Sequence, residues 1–320
     1  MSAVCFTHGR VIDGLNRPPI EDGFVLVEDG KIARVGPASD TPRSPHTDMR
    51  VVDVEGRTIL PGLIDCHAHL VYTGFRSLEE IDRCPVETAV INGVLNAEKV
   101  LRAGFTTIRD LGTIGNAAVG IRDAIAAGKI RGPRVVASGR IIHTTAGHID
   151  TLPSCLTNAC GLGVRVDGPI KMLKTVRQQI KDGVDNIKLG ATAAEGSPHS
   201  YTWMTAMNAE EITVAVQEAH RFGRTVAVHC QSFESVKLAL RAGADTIEHG
   251  TRMDDETIDL FRESRTILVP TLSTLFSVLE LGEKLGVVPK QAVSVFSSTM
   301  NVVREAYLSL IGAFETGRDR

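Results

Sequence analysis

The chain has 320 residues, 43% of them apolar and 23% charged, and a formal charge of −3. It is long enough for one large domain, or one large and one small, and its charge gives no reason to expect nucleic acid or an acidic membrane as a partner. The six cysteines form no CxxC pair and are sparse, which suits buried thiols in a reducing compartment. With no basic leader followed by an apolar run, and no apolar stretch of about 18 residues, the expectation is a cytoplasmic protein acting on a small-molecule substrate.

Residues 1–57 read as short strands at 4–6, 24–27, 32–35 and 51–54, separated by Asp13-Gly14, Asp29-Gly30 and the stretch 37–49. An Asp-Gly pair between two apolar-rich runs is a hairpin signal. Strands without helices predict a small β unit here.

From residue 58 the pattern changes. Strand candidates at 59–67, 105–110, 134–142, 186–189, 225–229, 246–249 and 267–271 alternate with helix candidates at 86–102, 117–127, 169–182, 209–222, 233–242 and 254–263. Asn208 is placed to cap the helix over 209–222, with Glu210 and Glu211 in its first turn. Gly104, Gly183, Gly223 and Gly243 each follow a helix, where a left-handed residue is wanted. Strand-helix repetition predicts a parallel sheet with crossover helices, and polar residues at strand carboxyl ends favour a TIM-like (β/α)8 barrel over a doubly wound sheet. The fold class is therefore α/β, with 1–57 a small N-terminal unit and 58–320 the barrel. Only residues 315–320 follow the last helix candidate, at 292–314, so the eighth strand is expected to be missing and the chain looks cut short.

The strand over 59–67 ends in His67-Ala68-His69. Residues two apart in a strand point to one face, so these two imidazoles can grip one metal ion of the zinc type. A lone histidine at a strand end is more often structural. Here, however, Lys188, His229 and His249 end three further strands, and a barrel gathers all such ends on one face. A desolvated lysine near cations loses its proton and becomes a nucleophile, able to take up carbon dioxide as a carbamate.

The run Leu60-Pro61-Gly62-Leu63-Ile64-Asp65-Cys66-His67-Ala68-His69, followed in order by Lys188, His229 and His249, resembles the amidohydrolase superfamily. Phe105 to Asp110, Gly147-His148, Ile187-Lys188 and Ile247 to Gly250 resemble its imidazolonepropionase-related group, which includes Xaa-Pro dipeptidases. The resemblance implies that residues 1–57 are the N-terminal part of a β-sandwich. It implies two divalent metal ions: His67 and His69 on one, His229 and His249 on the other, and a carbamate on Lys188 bridging them. It implies cleavage of an amide or peptide-like C–N bond of a dipeptide or N-acyl amino acid by a metal-bridging hydroxide, with Lys188 and His249 as catalytic residues. His148 is similar to a substrate-carboxylate-binding histidine, and His143 and Tyr201 are further substrate-binding candidates. The family's strand-eight aspartate, a metal ligand and proton shuttle, has no counterpart; Asp319 precedes any place for such a strand. Two other readings stand beside this one: a mononuclear deaminase or cyclic-imidazolone hydrolase, against which Lys188 argues, and a metal-binding remnant without turnover. A homo-oligomer is compatible with the sequence. Arg109-Asp110 reads as a structural ion pair near the site, and His8, His46, His199 and His220 as surface residues.

Overall fold

The chain opens with β1 (Ala3–Val11), which pairs antiparallel with β2 (Ile20–Glu28). Asp29 and Gly30 both take left-handed backbone, φ 48° and 77°, and turn β2 into β3 (Lys31–Pro37). Such a turn matches the twist of the paired strands. β4 (Met49–Asp53) and β5 (Thr58–Ile59) both run parallel to β1, giving the order β3-β2-β1-β4. Cys5, Phe24 and Leu26 form the small core of this sheet. The chain divides into two compact units, Met1–Leu63 and Ile64–Arg320. The computed structural model describes residues 3–42, 49–72, 78–153, 155, 161–193, 201–273 and 277. The helix expected at 292–314, Asp319, His46 and His199 lie outside them.

The strand expected over 59–67 is broken. Thr58–Ile59 ends on β1, and a new strand, β6 (Leu63–Ala68), begins after Pro61-Gly62. Proline has no N–H to give to a ladder, so the interruption falls where the chemistry puts it. Leu63 and Ile64, read as buried, are 43% and 65% exposed. β6 has only β7 as a hydrogen-bonded neighbour among the described residues, which leaves its other edge uncovered.

The second unit continues with α1 (Leu78–Asp82), α2 (Val86–Arg102), β7 (Phe105–Asp110), α3 (Ala117–Ala126) and β8 (Arg134–Ala137). Next come β9 (Ile141–His143), β10 (Gly163–Arg165), α4 (Pro169–Lys181) and β11 (Asn186–Gly190). It closes with α5 (Ala209–Arg221), β12 (Thr225–Cys230), α6 (Phe233–Ala242), β13 (Thr246–His249), α7 (Asp255–Glu263) and β14 (Ile267–Val269). One sheet has the order β6-β7-β8 and the other, with parallel pairing throughout, β10-β9-β11-β12-β13-β14. The expected strand over 134–142 is thus two, separated at Gly139. Its φ is +66°, and a Cβ there would lie 2.4 Å from the Gln179 carboxamide oxygen. β8 stays on β7 while β9 moves to β11, so the glycine kink hands the chain from one sheet to the next.

Asn208 caps α5 in a capping box with Glu211, and Gly104, Gly183, Gly223 and Gly243 all have positive φ, as their positions after helices require. Every residue of β11, and all of β12 after Thr225, is buried, as expected of parallel strands covered on both faces. Among the described residues no helix is long and apolar enough to cross a membrane.

Candidate metal centre

β6 alternation puts His67 and His69 on one side, with ring centroids 5.3 Å apart. His69 donates from Nδ1 to the Gly112 carbonyl at 3.0 Å and stacks on Tyr72 at 4.4 Å. A carbonyl only accepts, so the proton of this neutral ring sits on Nδ1 and Nε2 keeps its lone pair. His67 Nδ1 lies 2.6 Å from Glu248 Oε2, which sets the same tautomer. Glu248 is fully buried but well satisfied: Arg109 Nη2 donates to Oε1 at 2.8 Å, and Thr246 Oγ1 donates to the same oxygen at 2.6 Å. Arg109 also donates to Thr246 Oγ1 at 3.1 Å and to the Cys66 carbonyl at 2.8 Å. Side chains of β6 and β7 thereby meet β13 in one connected network.

Neighbours in a strand point to opposite faces, yet Glu248 and His249 both belong to this cluster. His249 has φ 70°, a left-handed conformation that costs a non-glycine residue about 1–2 kcal/mol and turns its side chain back. Its ring lies 5.0 Å from that of His67 and 4.5 Å from that of His229, and its Nδ1 is 2.7 Å from Thr271 Oγ1. Strain of this kind collects at functional sites.

β11 and β12 supply the remaining groups. Lys188 is 1% exposed and its Nζ has no hydrogen-bond partner; neither has either ring nitrogen of His229, nor Nδ1 of His148. Burial pulls the Lys188 ammonium down to about 8 from 10.5, a penalty of about 3 kcal/mol against the charged form. Burial, reinforced by Lys188 and neighbouring imidazoles, holds His67, His148, His229 and His249 well below the ordinary histidine range, and His69 falls to about 4. His148 stacks on His229 at 3.6 Å, a seat open only because residue 190 is glycine: a Cβ there would lie 2.6 Å from the His148 Cβ.

Among the described residues no three His, Cys, Asp or Glu side chains close around one point as metal ligands; the rings lie against one another instead. The chemistry of the donor set nonetheless fits divalent cations. Buried imidazoles held neutral are in the ligating form, and buried nitrogens without partners are otherwise costly.

His143 lies apart from these ring contacts. It is buried, its Nδ1 is 3.1 Å from the Thr144 carbonyl oxygen, and burial lowers it to about 4. Tyr201 is 56% exposed and stacks on Trp203 at 6.0 Å rather than on the imidazoles. Arg109 and Asp110, read as an ion pair, part company because strand alternation sends them to opposite sides. Asp110 accepts instead from the backbone N–H groups of Leu70 at 2.8 Å and Gly112 at 3.2 Å, and burial raises its carboxyl to about 7. His8 and His220 are exposed and face Asp53 and Asp245, at 3.1 and 2.8 Å. The reading from sequence passed over Glu248, Thr271 and Tyr72. Only Glu248 carried a signal, as a carboxylate in a β-rich run next to a ligand-type histidine.

The sequence profile of the Amidohydrolase family matches residues 58–311. Ochratoxinase of Aspergillus niger is 28% identical over 291 residues, 83% of this chain and 58% of its own length. Imidazolonepropionase of Stenotrophomonas maltophilia is 29% identical over 285 residues, 82% of this chain and 66% of its own. This chain therefore spans between half and two thirds of these relatives. The solved structure of a prolidase complexed with N-methylphosphonate-L-proline superposes with a TM-score of 0.85 at 28% identity, covering 98% of this chain and 76% of that one.

Proposed function

The chain belongs to the amidohydrolase family, and on that premise we propose that it is a metal-dependent hydrolase cleaving an amide or peptide-like C–N bond of a small substrate, a dipeptide or an N-acyl amino acid. The observation that carries this reading is the set of buried, unpartnered nitrogens on Lys188, His229 and His148 beside the tautomer-fixed rings of His67 and His69. His67 and His69 would hold one divalent ion of the zinc type and His229 and His249 a second, with Lys188 as a carbamate between them. Such ions supply Lewis-acid polarisation of a carbonyl and a low pKa for bound water.

The chain's own part is positioning. Glu248 and the Gly112 carbonyl keep the Nδ1 protons of His67 and His69, so both rings turn Nε2 to the cluster. Lys188, neutral more readily than a solvated lysine, is in the form that attacks carbon dioxide. His148, seated over His229, is placed to meet a substrate carboxylate, with His143 and Tyr201 as outer substrate contacts.

The two parallel sheets, joined at Gly139, make one (β/α) barrel in this reading, with residues 1–57 part of a β-sandwich. A cyclic-imidazolone hydrolase is the second reading, favoured by the likeness to imidazolonepropionase; the buried Lys188 weighs against it, since one ion needs no bridge.

The test is hydrolysis of Xaa-Pro dipeptides and N-acyl amino acids by protein stripped with chelator and reloaded with zinc. Turnover on reloading alone is expected. Turnover of imidazolone substrates and of no dipeptide or acyl amino acid would overturn the reading in favour of the second.

A further inference from the structure

We propose that Thr271 is a positioning residue for His249, its hydroxyl holding the imidazole so that Nε2 is the nitrogen turned to the cluster; the metal part of this inference rests on the function proposed above. The β13–β14 ladder pairs Glu248 with Val269 and carries no pair beyond it. His249 therefore leaves the sheet at the point where it turns left-handed, φ 70°, followed by Gly250 at φ 56°. Nothing in the ladder then fixes the ring.

Thr271 Oγ1, two residues past Val269, meets His249 Nδ1 at 2.7 Å. Thr271 is itself left-handed, φ 51°. A β-branched residue is the wrong choice for that backbone, where glycine or asparagine would sit without strain. A threonine kept there points to a use for its side chain.

The arrangement repeats what is seen on the other tied rings. His67 gives Nδ1 to Glu248 and His69 gives Nδ1 to the Gly112 carbonyl. Thr271 is the third such partner, on the third ring. His229, with neither nitrogen partnered, has no equivalent. A ring that presents Nε2 to a cation keeps its proton on Nδ1, so the threonine oxygen accepts.

The test compares the parent chain with Thr271→Val, Thr271→Gly and Thr271→Ser. Zinc affinity is measured by competition with a chromophoric chelator, and ¹⁵N imidazole spectra of His249 are recorded on the metal-free proteins. Glycine relieves the backbone while removing the hydroxyl, so it keeps the test open if the valine variant does not fold. The expected result is zinc binding weaker by about 10–100-fold in the valine and glycine variants, with serine close to the parent. In the spectra, His249 should be protonated at Nδ1 in the parent and serine chains and averaged between tautomers in the other two. Unchanged affinity and an unchanged His249 spectrum in Thr271→Gly would overturn the proposal. A parent that binds no zinc would sink the functional reading, and the spectra alone would then decide the role of Thr271.

Discussion

The two ends of the same parallel strands treat buried polar groups in opposite ways. At the amino ends, Asp185 accepts from the Ala137 N–H at 3.0 Å and from Arg122 at 2.6 Å, clipping β11 to β8 and to α3. Asp245 does the same one repeat later, accepting from the Val226 N–H at 2.7 Å and facing His220 at 2.8 Å. Each aspartate lies two residues after a helix-ending glycine, Gly183 or Gly243. At the carboxyl ends the ledger is left open: Lys188 Nζ and both His229 nitrogens have no partner. Within β11 the passage from one regime to the other takes three residues, from Asp185 to Lys188. Paired polar groups at the amino ends hold the repeats together, whereas unpaired ones at the carboxyl ends are a standing cost that a bound ion or carbamate would remove.

The comparison can be broken most sharply at Lys188. Lys188→Met should abolish most metal binding while raising the melting temperature of the metal-free protein, because an apolar chain of similar length replaces a buried, unpartnered amine. A lower melting temperature for the metal-free variant would mean that Lys188 is a satisfied structural residue. At the other end, Asp185→Ala should cost about 1–3 kcal/mol in urea unfolding, since Arg122 and the Ala137 N–H lose their acceptor. Metal content per folded chain should stay at the parent value; a parallel loss of metal would erase the distinction between the two ends.

The smallest effect concerns pH. Glu218, on the last turns of α5, is held down to about 2 by its hydrogen bonds to Arg221 and Arg177. A carboxyl whose folded pKa is depressed stabilises the fold above its unfolded value of 4.5, and that contribution fades as pH falls from about 4.5 toward 2. The urea midpoint of Glu218→Gln should therefore lie slightly below the parent at pH 7 and converge with it near pH 2. Midpoints differing equally at both pH values would show that the pair is not what the substitution reports.

Much of this contrast was legible beforehand. The repeat of strand and helix, the left-handed glycines and the Asn208 cap follow from periodicity and local backbone chemistry, and the ligand-type residues at strand ends from their place in that repeat. The rest depended on backbone departures from the repeat. Alternation sends Glu248 away from His249, and only the positive φ of His249 reunites them. Gly139 splits a strand that reads as continuous, because apolar pattern does not register a change of sheet. Tyr201 illustrates the converse: residue type proposed a contact, whereas its ring is turned to Trp203.

The central claim, that the open polar groups at the carboxyl ends are a metal centre, is tested most directly by metal content. Protein purified without chelators, parent and His229→Ala alike, would be measured by elemental mass spectrometry. The account predicts about two zinc-type ions per parent chain and about one in the variant. Equal content in the two proteins, or no metal in the parent, would contradict it.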